Sequence, residues 1–283
     1  MSTATILLLG AFAGCTIFLG LPLVFLKSLP SWLKIFLNLL ATGILIFLLF
    51  DVLSKASDPI NAALDEVRAH HTGTGVFSLD VFLLVCGIGL GSVGLVYFNR
   101  LLFGRPKVRP APQTAGDSSR ISTVVTSLAR KTEHAPHTLA LLIAVGIGLH
   151  NFSEGLAIGQ SARIGALQLA IVLIAGFGLH NMTEGFGIAG PLSGQPISWR
   201  FMTLLGLIGG GPTFLGTAVG MTFNSPQVFI LFLALAAGAI IYVVAELLGQ
   251  AKRFGAPEIV MWGLLIGFLL GYGTDLIVTF GGA

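Results

Sequence analysis

Two short stretches of this chain carry side chains able to hold a metal ion. Gly146-Ile147-Gly148-Leu149-His150-Asn151-Phe152-Ser153-Glu154-Gly155 returns as Gly176-Phe177-Gly178-Leu179-His180-Asn181-Met182-Thr183-Glu184-Gly185, at a constant offset of 30 residues. Residues three and four apart are neighbours on a helix surface, so each glutamate falls beside the histidine and asparagine of its own copy. His150, Asn151, Glu154, His180, Asn181 and Glu184 together offer an imidazole, an amide and a carboxylate from each of two helices. Imidazole with carboxylate suits zinc, iron, manganese, cobalt or cadmium, whereas calcium and magnesium prefer oxygen alone.

The surroundings sharpen this reading. Hydrophobic residues make up 54% of the 283 and charged residues only 10%, against roughly a quarter charged in soluble domains. The composition therefore predicts an integral membrane protein and excludes a disordered or disulfide-stapled one, since Cys15 and Cys86 lie within apolar runs. Both motifs fall near the middle of their runs. A charge there costs roughly 2.5 to 3.5 kcal/mol on insertion scales, and neither motif-bearing run carries a lysine or arginine to offset its glutamate. Protonation, water or a bound cation must do so. Interhelical hydrogen-bond glue would explain one His-Asn-x-x-Glu; two matching copies at one depth favour a cation.

A membrane-crossing helix needs about 20 apolar residues. Such runs occur near Thr3 to Leu26, Trp32 to Leu53, Val76 to Phe103, His137 to Gln160, Gly165 to Leu192, Arg200 to Phe223, Val228 to Gln250 and Glu258 to Phe280. The expected fold is an all-α bundle of eight transmembrane helices. It divides into 1–103 (helices one to three), a flexible basic connection at 104–136, 137–192 (helices four and five, with both motifs) and 193–283 (helices six to eight). Every lysine and arginine except Lys55, Arg68 and Arg163 falls in an odd-numbered connection, so the positive-inside rule puts those connections in the cytoplasm and both termini outside. Phe12-Ala13-Gly14-Cys15 is similar to a lipoprotein cleavage site, but no basic segment precedes it and the apolar run continues, so it is read as membrane helix. The net charge of +3 is then a topology signal, and no nucleic-acid partner is expected. The partners are a divalent metal ion and the lipid bilayer.

At the two motifs the sequence resembles the ZIP (Zrt/Irt-like) family of divalent-metal transporters, and within it the prokaryotic GufA-like branch. The resemblance covers nearly the whole chain. It implies transport of zinc, or of Fe2+, Mn2+, Co2+ or Cd2+, from outside or periplasm into the cytoplasm across a prokaryotic inner membrane, with no catalytic cofactor. It assigns His150, Glu154, His180 and Glu184 to one metal position, with Asn151, Asn181 and a shared Glu184 toward a second, and a homodimer is compatible with it. Two departures stand out. Ser153 and Thr183 replace a proline common in the family, their hydroxyls being able to bond the carbonyl four residues back. The sixth helix offers only Thr213, in Gly211-Pro212-Thr213, where a carboxylate is frequent.

Further along a path, Asp51, Asp80 and Asp275 fall toward the outer face and Glu246 toward the cytoplasmic end of helix seven. Asp275 and Glu246 are the stronger pathway candidates. His70, His71, His134 and His137 lie in connections and carry little weight. An intramembrane metal-dependent hydrolase is the first rival, opposed by the lack of His-Glu-x-x-His and of a spare base. A carrier of another solute that cycles protons on Glu154 and Glu184 is the second.

Overall fold

Long apolar runs in a medium without water must satisfy their own backbone hydrogen bonds, and helices do so within one segment. The computed structural model describes residues 2–25, 30–103, 118–163, 167–222, 225–251 and 256–280, and among them there is helix but no strand. The helices are α1 (Thr3–Cys15, resuming after Thr16 as Ile17–Gly20), α2 (Ser31–His70), α3 (Thr74–Phe103), α4 (Ser118–Arg163), α5 (Leu167–Ala189), α6 (Trp199–Gly220), α7 (Pro226–Ala251) and α8 (Pro257–Phe280). All except α5 are long and apolar enough over their described residues to cross a membrane; α5, at 23 residues, also has the length of a crossing helix.

Two helices exceed the expected runs. α2 has 40 residues, about 60 Å at 1.5 Å per residue, and continues from Leu53 to a left-handed cap at His71, whose φ is 52°. Its last turns are exposed and carry an ion pair between Arg68 and Asp65, with His70 Nε2 3.9 Å from Glu66 Oε2. Charged side chains at three- and four-residue spacing support an exposed helix end. α4 begins at Ser118, so the second half of the connection expected to be flexible is helical. The helix breakers of that connection, Gly104, Pro106, Pro110, Pro112 and Gly116, precede Ser118, and none follows until Pro136. The first half, with Arg105, Lys107 and Arg109, lies outside the described residues.

Side-chain caps open α1 and α6: Ser2 and Ser198 accept from the backbone N–H groups of Thr5 and Phe201, each at 3.2 Å. The helices then pack through glycine. α6 lies against α4 and α1, α8 against α2, and α3 against α7. A Cβ at Gly267 would strike the Leu40 carbonyl between α8 and α2, and one at Gly91 the Leu235 carbonyl between α3 and α7. Without such glycines the backbones could not approach this closely. α2 and α4 are the most buried of the apolar helices and α3 and α8 the least, which places the motif-bearing α4 centrally. Ile17, Leu48, Ile143, Ile147, Ile188 and Ile240 are among the residues of the core that joins α1, α2, α4, α5 and α7.

Candidate metal centre

The four-residue spacing within each motif brings each histidine to its own glutamate. His150 Nε2 lies 3.3 Å from Glu154 Oε1, and His180 Nε2 lies 3.6 Å from Glu184 Oε1. The two helices also meet across the motifs. His150 Nε2 is 3.9 Å from Glu184 Oε1, the imidazole centroids are 5.8 Å apart, and Asn151 Nδ2 donates to Glu184 Oε2 at 2.9 Å. Glu184 is therefore the hub, touched from α5 by His180 and from α4 by His150 and Asn151.

All six motif residues are buried, the most exposed at 4%. His150 Nε2, His180 Nε2, Glu184 Oε1, Glu154 Oε2 and the side-chain oxygens of Asn151 and Asn181 are enclosed without a hydrogen-bond partner. So many enclosed donors and acceptors without a partner are costly unless something occupies the space between them. Ligand atoms of His150, His180 and Glu184 lie within 4.8 Å of one another. Ligands on a tetrahedral zinc sit about 3.3 Å apart, from bond lengths near 2 Å, so small side-chain rotations close the set around an ion.

The asparagines and terminal glycines of the motifs do matching work. Asn151 Nδ2 also donates to the Gly209 carbonyl of α6 at 3.0 Å, and Asn181 Nδ2 donates to the Ala13 carbonyl of α1 at 3.0 Å. A Cβ at Gly155 would strike the Thr213 carbonyl of α6, and one at Gly185 the Ile17 carbonyl of α1. Each motif thus seats its helix, by a glycine and an amide, on one supporting helix: α4 on α6 and α5 on α1. The supports meet each other where a Cβ at Gly14 would strike the Gly210 carbonyl. Pro212 contributes locally, since it has no N–H to give the Ile208 carbonyl four residues back. That carbonyl faces Gly148 of α4 instead.

Thr183 Oγ1 donates to the His180 carbonyl, three residues back rather than four, at 2.7 Å. Ser153 Oγ is buried without a hydrogen-bond partner, so the expected bond four residues back forms in neither copy. Thr213 is wholly buried, its hydroxyl also unpartnered. Asp275 of α8 is half-buried and lies within electrostatic reach of Asp51, Lys55 and Glu154. Glu246 is exposed on α7, and the structure does not bring it to the cluster. Asp80 is neither at a solvated helix end nor in the cluster: buried, it accepts from Gln227 Nε2 at 3.0 Å and ties α3 to α7. His137 packs against the Phe201 ring, with centroids 5.1 Å apart; the side chain of His134 lies outside the described residues.

One neighbour escapes the sequence reading. Lys55, assigned there to an outer connection, is within α2 and forms an ion pair with Asp51, Nζ to Oδ2 2.8 Å. Asp51 is buried, and its charge acts on His150 and His180 while that of Lys55 acts on Glu154. A lysine whose charge reaches Glu154 is therefore supplied by a different helix. The only sequence signal for it was Asp51 and Lys55 at i,i+4 spacing.

The site and its frame define a class: a membrane protein whose apolar helices enclose a His/Glu cluster fit for a divalent transition metal. A family model described as ZIP Zinc transporter matches residues 113–273, more than half of the 283. The chain belongs to the ZIP zinc transporter family, and hence among divalent-metal transporters. No curated protein matches it.

Proposed function

We propose that this protein carries zinc into the cytoplasm from outside or periplasm, across a prokaryotic inner membrane, with Fe2+, Mn2+, Co2+ and Cd2+ as alternative cargo. The ion passes between α4 and α5, held by His150, His180, Glu154 and Glu184, with Asn151 and Asn181 as further oxygen donors. The observation that carries the reading is the buried meeting of two imidazoles with the Glu184 carboxylate, His150 Nε2, His180 Nε2 and Glu184 Oε1 having no protein hydrogen-bond partner, and with Glu154 3.3 Å from His150. A dication satisfies them together and removes the penalty of isolated charge in hydrocarbon. Thr213 and Asp275 line the same route, Asp275 on its outer side; Glu246 is its cytoplasmic exit. Eight crossings with both termini outside complete the topology.

Purified protein in liposomes containing a zinc-sensitive dye tests this. Zinc enters with the native chain, and entry stops with Glu184→Ala or Glu154→Ala. Proton flux indifferent to zinc, with no dye response, would instead make the two glutamates proton carriers for another solute and end the metal reading.

A further inference from the structure

The transport reading leaves Lys55 without a role. Its Nζ lies 2.8 Å from Asp51 Oδ2 on the same helix and 5.9 Å from the centroid of the Phe177 ring, one turn before His180 on α5. Asp51 is 8% exposed in its side chain and Lys55 36%. Glu154 of α4 and Asp275 of α8 also act on the ammonium. One cation thus pairs with a carboxylate of its own helix, faces an aromatic ring of a second and feels the charges of carboxylates on two more. An exposed i,i+4 pair contributes only a few tenths of a kcal/mol and needs no such company.

Resting on the metal-transport reading, we propose that Lys55 is a tethered counter-cation of the metal approach, its ammonium holding the place among Asp51, Glu154 and Asp275 that an arriving dication takes over. Attraction scales with charge, so a dication outcompetes one ammonium while a monovalent ion in the same place gains nothing over it. The lysine stem is flexible enough to withdraw the charge toward water without moving α2. Lys55 therefore weakens the hold of the centre on zinc and keeps its acidic approach compensated between ions. It acts by charge on the ion's path and is not itself a ligand.

The test measures zinc uptake into dye-loaded liposomes and, separately, equilibrium zinc binding to protein in detergent. Lys55→Met lowers KM and tightens binding by at least about threefold, whereas Asp51→Asn shifts both the other way by a similar factor, as expected for unit charges beside a dication. Lys55→Arg keeps the charge and rescues both values. Because Lys55→Met leaves Asp51 buried and unpaired, the double variant Lys55→Met/Asp51→Asn is included; it folds as the native chain does and binds zinc with an affinity between those of the single variants. If the single variants lose folded protein while KM and zinc affinity stay unchanged, the pair is a structural brace and the proposal is overturned. A native chain that moves no zinc would sink the transport reading instead, with binding in detergent still deciding the part played by Lys55.

Discussion

Glu184 concentrates the chemistry of the centre, because it alone touches His180 on its own helix and both His150 and Asn151 across the gap. Glu184→Ala should abolish stoichiometric zinc retention in equilibrium dialysis, whereas Asn151→Ala should weaken it by about 10- to 100-fold, the usual effect of removing a partner that orients a ligand. Zinc binding should also weaken as pH falls, because protons compete for the same imidazoles; titration calorimetry in buffers of different ionisation heat would detect the protons released. The six motif residues were legible in the sequence because chemistry-bearing side chains recurred at helical spacing inside apolar runs. Lys55 was not. A hydropathy window ends its helix at Leu53 and consigns a charged residue to the outside, and only tertiary packing shows that α2 brings its charge within reach of Glu154. The roles of the asparagines were equally hidden, since no spacing rule says that Asn151 would reach Gly209 or Asn181 would reach Ala13.

The helices that position these residues depend on glycine at their points of closest approach. Gly155→Ala and Gly185→Ala should each cost roughly 1 to 3 kcal/mol, because the added carbon meets a backbone carbonyl that cannot swing aside. Thermal denaturation in detergent would show it. Gly89→Ala, at a position where a Cβ would meet nothing, is the control and should leave Tm close to native. Helix existence and order could be read from the length of the apolar runs, while helix ends could not. α2 and α4 outrun their apolar stretches because nothing in Lys55–His70 except Pro59, and nothing in Ser118–Ala135, breaks a helix. Hydropathy registers where a helix leaves the lipid, whereas proline and glycine decide where it stops.

For the molecule as a whole, a ligand held only by the folded state must stabilise it. Zinc at a hundredfold above its Kd should add about 2.7 kcal/mol and raise the Tm of the native chain, with no such rise in a His150→Ala/His180→Ala variant. The way the centre is shared explains why so much stability is at stake: α4 and α5 supply the donors, α1 and α6 support them, and α2 and α8 bring the charged side chains around them. Cysteines added at the two termini should both react with a membrane-impermeant maleimide applied from outside, as the distribution of lysine and arginine demands. The membrane class was plain from composition, and the family from two ten-residue motifs. The length of α2 has a practical corollary. Its terminal turns, exposed and continuous with the helix that bears Asp51 and Lys55, offer a rigid handle, so a fiducial fused there would report the orientation of the bundle to an electron microscope.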